Sequence, residues 1–536
     1  MTEIVLQGME MKRKLKKIFS RFSLVALTII LIFFVAVALF VGAIYVVHEV
    51  VIFYYPKTQL YLMIGITLLD WLIMIVTTLR VANRDMLPET KVPWIICIIT
   101  FNIVGVIAYI VFSSHRPSKR QRGRYVSLIE RSVPYSRRKY PKEQTQQLLG
   151  AWADESEALA LASPTAVLYG GTKTEYFPSG EQFVKRLLED LKQAKKYIFL
   201  EFFIIEKGKL WTSILEILKQ KVQEGVEVRV MYDDIGCMGK VHVRYHKTLR
   251  KMGIKCVKFN KFVPVLSNVH NNRDHRKIVV IDGTVGYTGG INLADEYVNL
   301  VQYFGHWKDS AVRLEGEGVK SFALMFLRLY NIQTKTAEDF SPYIPEEYET
   351  FENEGFVQPY GDGPRPLYGK HLAEDVYINI LNGAKRYVYI TTPYLIIDYR
   401  LREALTLTAQ RGVDVRILTP HIPDKKIPFA LTRSNYLALI KGGVKIYEYT
   451  PGFVHAKSFV CDDEVAVVGT VNLDYRSLLF HFEDAVLMFK TKAVEQLKAD
   501  MDQTFEVSAL QTAEDAKKSV VWRWLCEIAK LFAPLF

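Results

Sequence analysis

His275-Arg276-Lys277-Ile278-Val279-Val280-Ile281-Asp282 runs through a turn to Gly289-Gly290-Ile291-Asn292. A second stretch, His455-Ala456-Lys457-Ser458-Phe459-Val460-Cys461-Asp462, runs on to Gly469-Thr470-Val471-Asn472. Both read His-x-Lys-x4-Asp-x6-Gly-[Gly/Thr]-x-Asn, and each matched position lies 180 residues from its counterpart. Five polar or turn positions in register make this one pattern used twice. Each copy predicts a strand, a turn at the Asp, a second strand and a Gly-containing turn that delivers the Asn. On a strand, residues two apart share a face, so His275 projects with Lys277 and His455 with Lys457. Facing each other, the two copies supply two imidazoles, two ammoniums and two amides. Lys277, Lys457, Asn292 and Asn472 suit the nonbridging oxygens of a phosphate as it gains charge in a transition state. One imidazole can attack phosphorus while the other protonates the leaving alcohol and deprotonates the incoming one. Where the copies differ, Thr470 offers phosphate a hydroxyl and Gly290 only a backbone N–H, which argues for unequal roles. Asp282 and Asp462 complete the motif's catalytic set by pattern, although their place at a turn predicts that they hold the loop through hydrogen bonds.

A metal centre fits this pattern poorly. Lysine is a weak ligand, and Cys256 and Cys461 form no C-x2-C spacing. The five cysteines (Cys97, Cys237, Cys256, Cys461, Cys526) are scattered and odd in number, and read as reduced and structural.

The paired motifs resemble the HKD signature of the phospholipase D superfamily. The apolar segments ahead of them, and the ending Trp522-Arg523-Trp524-Leu525 to Ala533-Pro534-Leu535-Phe536, are similar to bacterial cardiolipin synthases. That resemblance runs from residue 60 to the C-terminus. It implies an α/β fold of two similar phospholipase D-like lobes with a pseudo-twofold interface, preceded by N-terminal transmembrane helices. It also implies that two phosphatidylglycerol molecules give cardiolipin and glycerol through a phosphatidyl-histidine intermediate, with no cofactor and no metal. By the same resemblance His275 is the nucleophile and His455 the acid/base; the motif itself is nearly symmetric. A phospholipase D-type hydrolase, with water as acceptor, would use the same site. A catalytically silent membrane scaffold is the third reading, and two complete motifs count against it.

The 536 residues suffice for two catalytic lobes and a membrane region. Of the net charge of +12, residues 1–142 hold 20 Lys and Arg against 7 Asp and Glu, a balance of +13 that leaves −1 for the rest. The basic excess therefore belongs to the N-terminal region, which favours anionic membrane lipid over nucleic acid as a partner. Nothing in the sequence addresses the oligomeric state.

Residues 1–112 read as a membrane region with apolar segments at 22–47, 60–79 and 93–112. The first is long enough to span and lacks a clear cleavage site, so it reads as retained. Asp70 lies in the second, either hydrogen-bonded between helices or functional. Basic residues in the N-tail and after residue 113 both favour the cytoplasm, yet three full spans would separate them. One segment is therefore expected to be re-entrant or interfacial: the third, interrupted by Pro93, Asn102 and Gly105, or else the second. The catalytic lobes are placed on the cytoplasmic side of a multi-pass cell-membrane protein.

Residues 113–164 read as a basic juxtamembrane linker, with Arg116, Lys119, Arg120, Arg122 and Arg124 as a collar for anionic lipid. A first lobe follows at 165–334, a connector at 335–366 and a second lobe at 367–518. In the first, the pattern predicts helices at Glu181–Ala194, Leu210–Glu224 and Val243–Met252, and strands at Tyr197–Ile205, Val226–Tyr232 and Ile254–Phe259. The second repeats the order: Gln223-Glu224-Gly225-Val226 matches Gln410-Arg411-Gly412-Val413. After each motif comes an acid-bearing segment, His306-Trp307-Lys308-Asp309 and His481-Phe482-Glu483-Asp484. Asp309 and Glu483 are candidates to orient the histidines, each serving its own or the opposite lobe's, with Asp484 a rival in the second lobe and a surface acid the bland alternative. The tail 519–536 sets Val521, Trp524, Leu525, Ile528 and Phe532 at helical spacing, for a bilayer interface or for packing on the lobes.

Overall fold

A computed structural model describes residues 42, 59–113, 119–137, 139–261, 271–364, 368, 371–517 and 519–530. Of the apolar run 22–47, only residue 42 falls among them. Contacts divide the chain into two compact units, residues 1–115 with 262–269, and residues 116–261 with 270–536.

In the first unit, Tyr61–Ala82 and Pro88–Phe112 are long and apolar enough to cross a bilayer. The helix over Gln59–Ala82 leaves large side chains such as Leu68, Leu69, Trp71 and Leu72 exposed. Arg80 in its last turn suits the negative end of the helix dipole. The segment Pro88–Phe112 is not one straight helix. Asn102 takes a left-handed φ of 44°, a region that Asn tolerates better than most residues. A Cβ on Gly105 would lie 2.3 Å from the carbonyl oxygen of Cys97, whereas eight residues of straight helix span about 12 Å. The chain therefore reverses at Asn102, and only a glycine at 105 lets the two arms touch. Trp94 packs edge-on against Tyr109 at 5.5 Å across the reversal, and Ile98 and Val106 are buried against Val81. Each arm, at about 15–21 Å, is too short for the roughly 30 Å hydrocarbon layer. Asp70 Oδ1 has no hydrogen-bond partner among the described residues, so the expected interhelical bond is not found there.

The second unit contains two large sheets. The first runs in the order Lys173–Phe177, Ala311–Glu315, Val285–Gly289, Lys277–Ile281, Tyr197–Phe202, Glu227–Asp233, Lys255–Phe259. The second runs Tyr169–Gly170, Phe356–Asp362, Glu483–Phe489, Val465–Gly469, Ser458–Cys461, Tyr387–Thr391, Asp414–Pro420, Lys445–Tyr449, Ser508–Leu510. Strand directions repeat as well. Tyr197–Phe202 pairs parallel with Glu227–Asp233 and antiparallel with Lys277–Ile281, as Tyr387–Thr391 does with Asp414–Pro420 and Ser458–Cys461. The motif strands are buried throughout, which is why they read as apolar runs and not as alternating ones. The predicted helices form at Gly180–Gln193, Lys209–Gln223 and Tyr245–Lys251; Ser179 caps the first through the Gln182 N–H.

Three regions differ from the sequence reading. Much of the stretch expected as a linker, 113–164, is packed into this unit: it forms helices Lys119–Ser132, Lys142–Leu149 and Ala153–Ala162, with Tyr125, Leu128 and Leu159 buried in them and Trp152 buried in the turn Gly150–Trp152. The connector 335–366 contains the strand Phe356–Asp362, paired over its length with Glu483–Phe489. Val319–Thr334 is a helix buried on nearly all sides; Phe326 stacks on Phe199 of the first sheet at 4.5 Å, and Met325 lies against Gly361 of the second.

The two sheets are stitched together by the segments that carry the histidines. The backbone N–H of His275 donates to Phe482 (2.9 Å), and that of Phe482 to Arg273 (2.8 Å). Reciprocally, Gly452–Val454 pairs in parallel with His306–Lys308, and the His455 N–H donates to Lys308 (2.7 Å).

Candidate active site

This reciprocal pairing brings each histidine to an acid from the other sheet. His275 Nδ1 lies 2.9 and 3.0 Å from the two carboxylate oxygens of Glu483, and His455 Nδ1 lies 2.8 Å from Asp309 Oδ2. A hydrogen bond from Nδ1–H to a carboxylate leaves the lone pair on Nε2. The two acids thus favour the same tautomer in both imidazoles; at His455 the Lys457 ammonium also lies 2.8 Å from Nδ1. The two acids occupy matching sites: Gly290 donates its N–H to Ser310 and Thr470 to Asp484, so Asp309 and Glu483 each fall one residue before the acceptor. Asp484 points elsewhere. Its Oδ1 accepts the Lys277 backbone N–H at 3.4 Å, and burial pushes its carboxyl up to about 7.

Lys277 and Lys457 lie two residues along from the histidines, and each ammonium donates to the carbonyl of its own histidine. All four side chains are buried. Burial pulls Lys277 down to about 8 against the opposing pull of Glu483, Asp484 and Asp309. Lys457 falls to about 7 through burial, with Asp309 opposing and Lys277 reinforcing. His455 drops to about 4, first through burial and then through Lys457, while Asp309 raises it. His275 is held well below its ordinary value by burial, Lys277 and Lys457. Burial pushes the Asp309 carboxyl up, but His455 and Lys457 outweigh it and keep the acid ionised. Both histidines are thus held neutral at pH 7.

Asn292 and Asn472 are buried beside this cluster. The Asn292 amide is fixed at both ends, accepting from the Ile204 N–H (3.0 Å) and donating to the Tyr297 hydroxyl (2.8 Å). The Asn472 side-chain oxygen has no partner among the described residues. Two pairs from the sequence reading, Gly290 with Thr470 and Asp282 with Asp462, make other contacts; the aspartates hold the loop, as their turn position predicts. The Thr470 hydroxyl donates to Glu483 Oε2 and accepts the Asp484 N–H (3.0 Å), so it serves the acid and not a phosphate. A Cβ at Gly290 would come 1.9 Å from Asp309 Oδ1; the residue is glycine because the carboxylate occupies that space. Asp282 and Asp462 lie at the far end of their strands, five residues and about 16 Å beyond the lysines. Each accepts three backbone N–H groups, from Lys195, Lys196 and Tyr197 and from Lys385, Arg386 and Tyr387, at 2.7–2.9 Å.

Aromatic rings wall the two histidines. Trp307 and Tyr297 lie 5.3 Å from His455, and Phe203 lies 5.1 Å from His275. His481 lies 5.5 Å from the His275 ring, with its Nδ1 3.6 Å from Glu483. The sequence reading named its segment and gave it no role; the available signal was its alignment with Trp307 one residue before the matched pair Lys308 and Phe482.

The family model for the cardiolipin synthase phospholipase D-like domain matches residues 187–303 and 377–505, and each block contains one motif. A cardiolipin synthase of Halalkalibacterium halodurans is 32% identical over 84% of this chain and 89% of its own. The chain belongs to the cardiolipin synthase family. A Bacillus anthracis relative named cardiolipin synthase 2 is 33% identical over 84% of this chain and 87% of its own. A Streptococcus mutans protein described as uncharacterized is 44% identical over 86% of this chain and the whole of its own, which extends the family to that protein. Among solved structures, the phosphatidylserine synthase of Haemophilus influenzae superposes with a TM-score of 0.53 at 15% identity, covering 68% of this chain and 94% of that one. At that identity the likeness concerns the fold alone.

Proposed function

We propose that this chain is a membrane-bound cardiolipin synthase that transfers a phosphatidyl group reversibly from one phosphatidylglycerol to another. The observation that carries the reading is the pair of buried histidines, each fixed at Nδ1 by an acid from the opposite sheet and each followed by a buried lysine. His275 Nε2 attacks phosphorus, and the phosphorus–oxygen bond to the headgroup glycerol breaks. His455, as imidazolium, gives the departing alkoxide its proton. A glycerol hydroxyl of the second lipid then returns a proton to His455 and displaces His275, so two phosphatidylglycerols yield one cardiolipin and one glycerol. Lys277, Lys457, Asn292 and Asn472 face the nonbridging oxygens. Burial depresses His455 first and Lys457 second; the phosphodiester anion offsets the Lys457 charge and so favours the imidazolium once lipid is bound.

The matched strand orders support a pseudo-twofold relation between lobes at 165–334 and 367–518, with the site between them. The reversal at Asn102 supports a re-entrant hairpin at 93–112. The basic residues that follow residue 113 support a cytoplasmic side for the catalytic lobes. In the terminal helix Val520–Lys530, Cys526 is buried near Ala430 while Val521, Trp524, Leu525 and Ile528 are exposed, which favours contact with the bilayer interface.

The test is the full-length chain in mixed micelles with phosphatidylglycerol and a chelator. Cardiolipin and glycerol in equal amounts are expected. Phosphatidic acid with glycerol would instead make the chain a hydrolase.

A further inference from the structure

We propose that His275, His481 and Glu483 form an inhibitory binding site for a divalent cation of the zinc class. One ligand atom from each of the three buried residues lies within 4.8 Å of the other two. Two imidazoles and a carboxylate are a donor set that suits Zn2+ and is not preferred by Mg2+ or Ca2+. His481 points to such a ligand independently. It is only 9% exposed, and among the described residues neither of its ring nitrogens has a hydrogen-bond partner, Glu483 standing 3.6 Å from Nδ1. A buried imidazole left in that state is costly unless something else engages it. Thr470, whose hydroxyl donates to Glu483 Oε2, steadies the carboxylate as an outer partner does in metal sites.

The companion histidine cannot form the same site. By strand register the counterpart of His481 is Trp307, whose indole N–H donates to Asp309 at 3.4 Å and has no lone pair to offer. The device therefore acts on His275 alone. Binding takes the Nδ1 lone pair of His275, so the single ring proton moves from Nδ1 to Nε2 through solvent. Glu483 is engaged at the same time, so Nε2 loses its orientation and no longer carries the lone pair that would attack phosphorus. Lys277, Lys457 and Arg476 oppose a divalent cation here, whereas Asp309, Glu483 and Asp484 favour it. This balance points to reversible inhibition and not to permanent occupancy. That the cation inhibits rests on the phosphatidyl-transfer reading above; that it binds does not.

The experiment uses the full-length chain in mixed micelles with Co2+ as a spectroscopic probe. Wild-type protein should gain visible ligand-field absorption that Zn2+ abolishes and Mg2+ leaves unchanged. His481→Phe keeps the ring's shape without its nitrogens and should raise the required Co2+ concentration at least about tenfold. In parallel, Zn2+ should suppress phosphatidylglycerol turnover reversibly by chelator, and His481→Phe should need at least about tenfold more of it. Absence of cobalt absorption by wild type up to about 1 mM, or equal binding by wild type and His481→Phe, would overturn the proposal. If His481→Phe misfolds, His481→Asn carries the same cobalt comparison. Cobalt binding lost in the variant alongside unchanged zinc inhibition would place the inhibition elsewhere and likewise overturn it.

Discussion

Glu483 holds Nδ1 of His275 at 2.9 Å, although its strand belongs to the sheet that carries the other histidine. The reverse bond, Asp309 to His455, makes the arrangement mutual. Each half of the site therefore depends on a side chain that its own sheet does not supply.

The division of labour predicts a trappable intermediate. His455→Ala protein, quenched with labelled phosphatidylglycerol, should carry a phosphatidyl group on His275, because release is slowed more than attack. His275→Ala should carry none. An adduct mapped to His455 would reverse the roles.

Asp309→Asn should lower kcat at least about 100-fold while KM changes little, since the acid orients the imidazole and stabilises its charged form. Asp309 raises the His455 pKa, so its loss lowers it further. The step needs the protonated form, so the limb of the kcat–pH profile on which activity falls as pH rises should move to lower pH. An unmoved limb would mean that Asp309 does not act through His455.

Gly290→Ala places a methyl where Asp309 Oδ1 now sits. Displacing the carboxylate should reduce turnover to near the level of Asp309→Asn, with a stability loss of about 1–3 kcal/mol from overpacking. Thr470→Ser, which keeps the donor to Glu483, should stay active, and Thr470→Val should not. Turnover assays beside thermal melts distinguish these outcomes.

Asp282→Asn is expected to act on stability alone. Asn tolerates the left-handed φ of 52° at this turn, but its amide cannot accept all three N–H groups as the carboxylate does. A loss of about 1–3 kcal/mol in denaturant unfolding, with turnover per folded molecule preserved, is the predicted result. A large fall in turnover per folded molecule would give Asp282 a role in the chemistry.

Lys457→Met should stabilise the fold while abolishing turnover. The folded-state pKa of Lys457 is about 7, below its ordinary 10.5. Burial of its charge thus costs stability fully below pH 7, and the penalty disappears as pH rises toward 10.5. The Met variant's advantage, on the order of a few kcal/mol, should shrink over that window. An advantage that persists at pH 10.5 would contradict this account.

Much of this was legible in the chain because it is local. The turn between Lys277 and Asn292, the glycines at 225 and 412 and the apolar motif strands all follow from short-range pattern. Pairing across distance was legible only as a candidate role for Asp309 and Glu483 at the opposite lobe's histidine. Glu483 and Asp484 are adjacent acids on a strand and face opposite sides, so only the register of Gly469 with Ala485 decides which one meets His275. The helix Val319–Thr334 is apolar on nearly every side and shows no amphipathic period to announce it. Asn102 and Gly105 marked an interruption, but the direction taken after it depends on the contact between Gly105 and Cys97. The linker 113–164 read as a basic tether because its charges lie outward, while Tyr125 and Leu128, three residues apart, lie inward.

The crossed bonds of His275 and His455 give the site the character of a two-key lock. A small slip of one sheet past the other withdraws Glu483 and Asp309 in the same movement, so neither histidine can remain aligned while the other drifts. Half-assembled molecules that would activate a lipid without a means to finish the exchange are thereby avoided. Heating should extinguish both chemical steps at a single temperature, without passing through a species that attacks phosphorus but cannot release it.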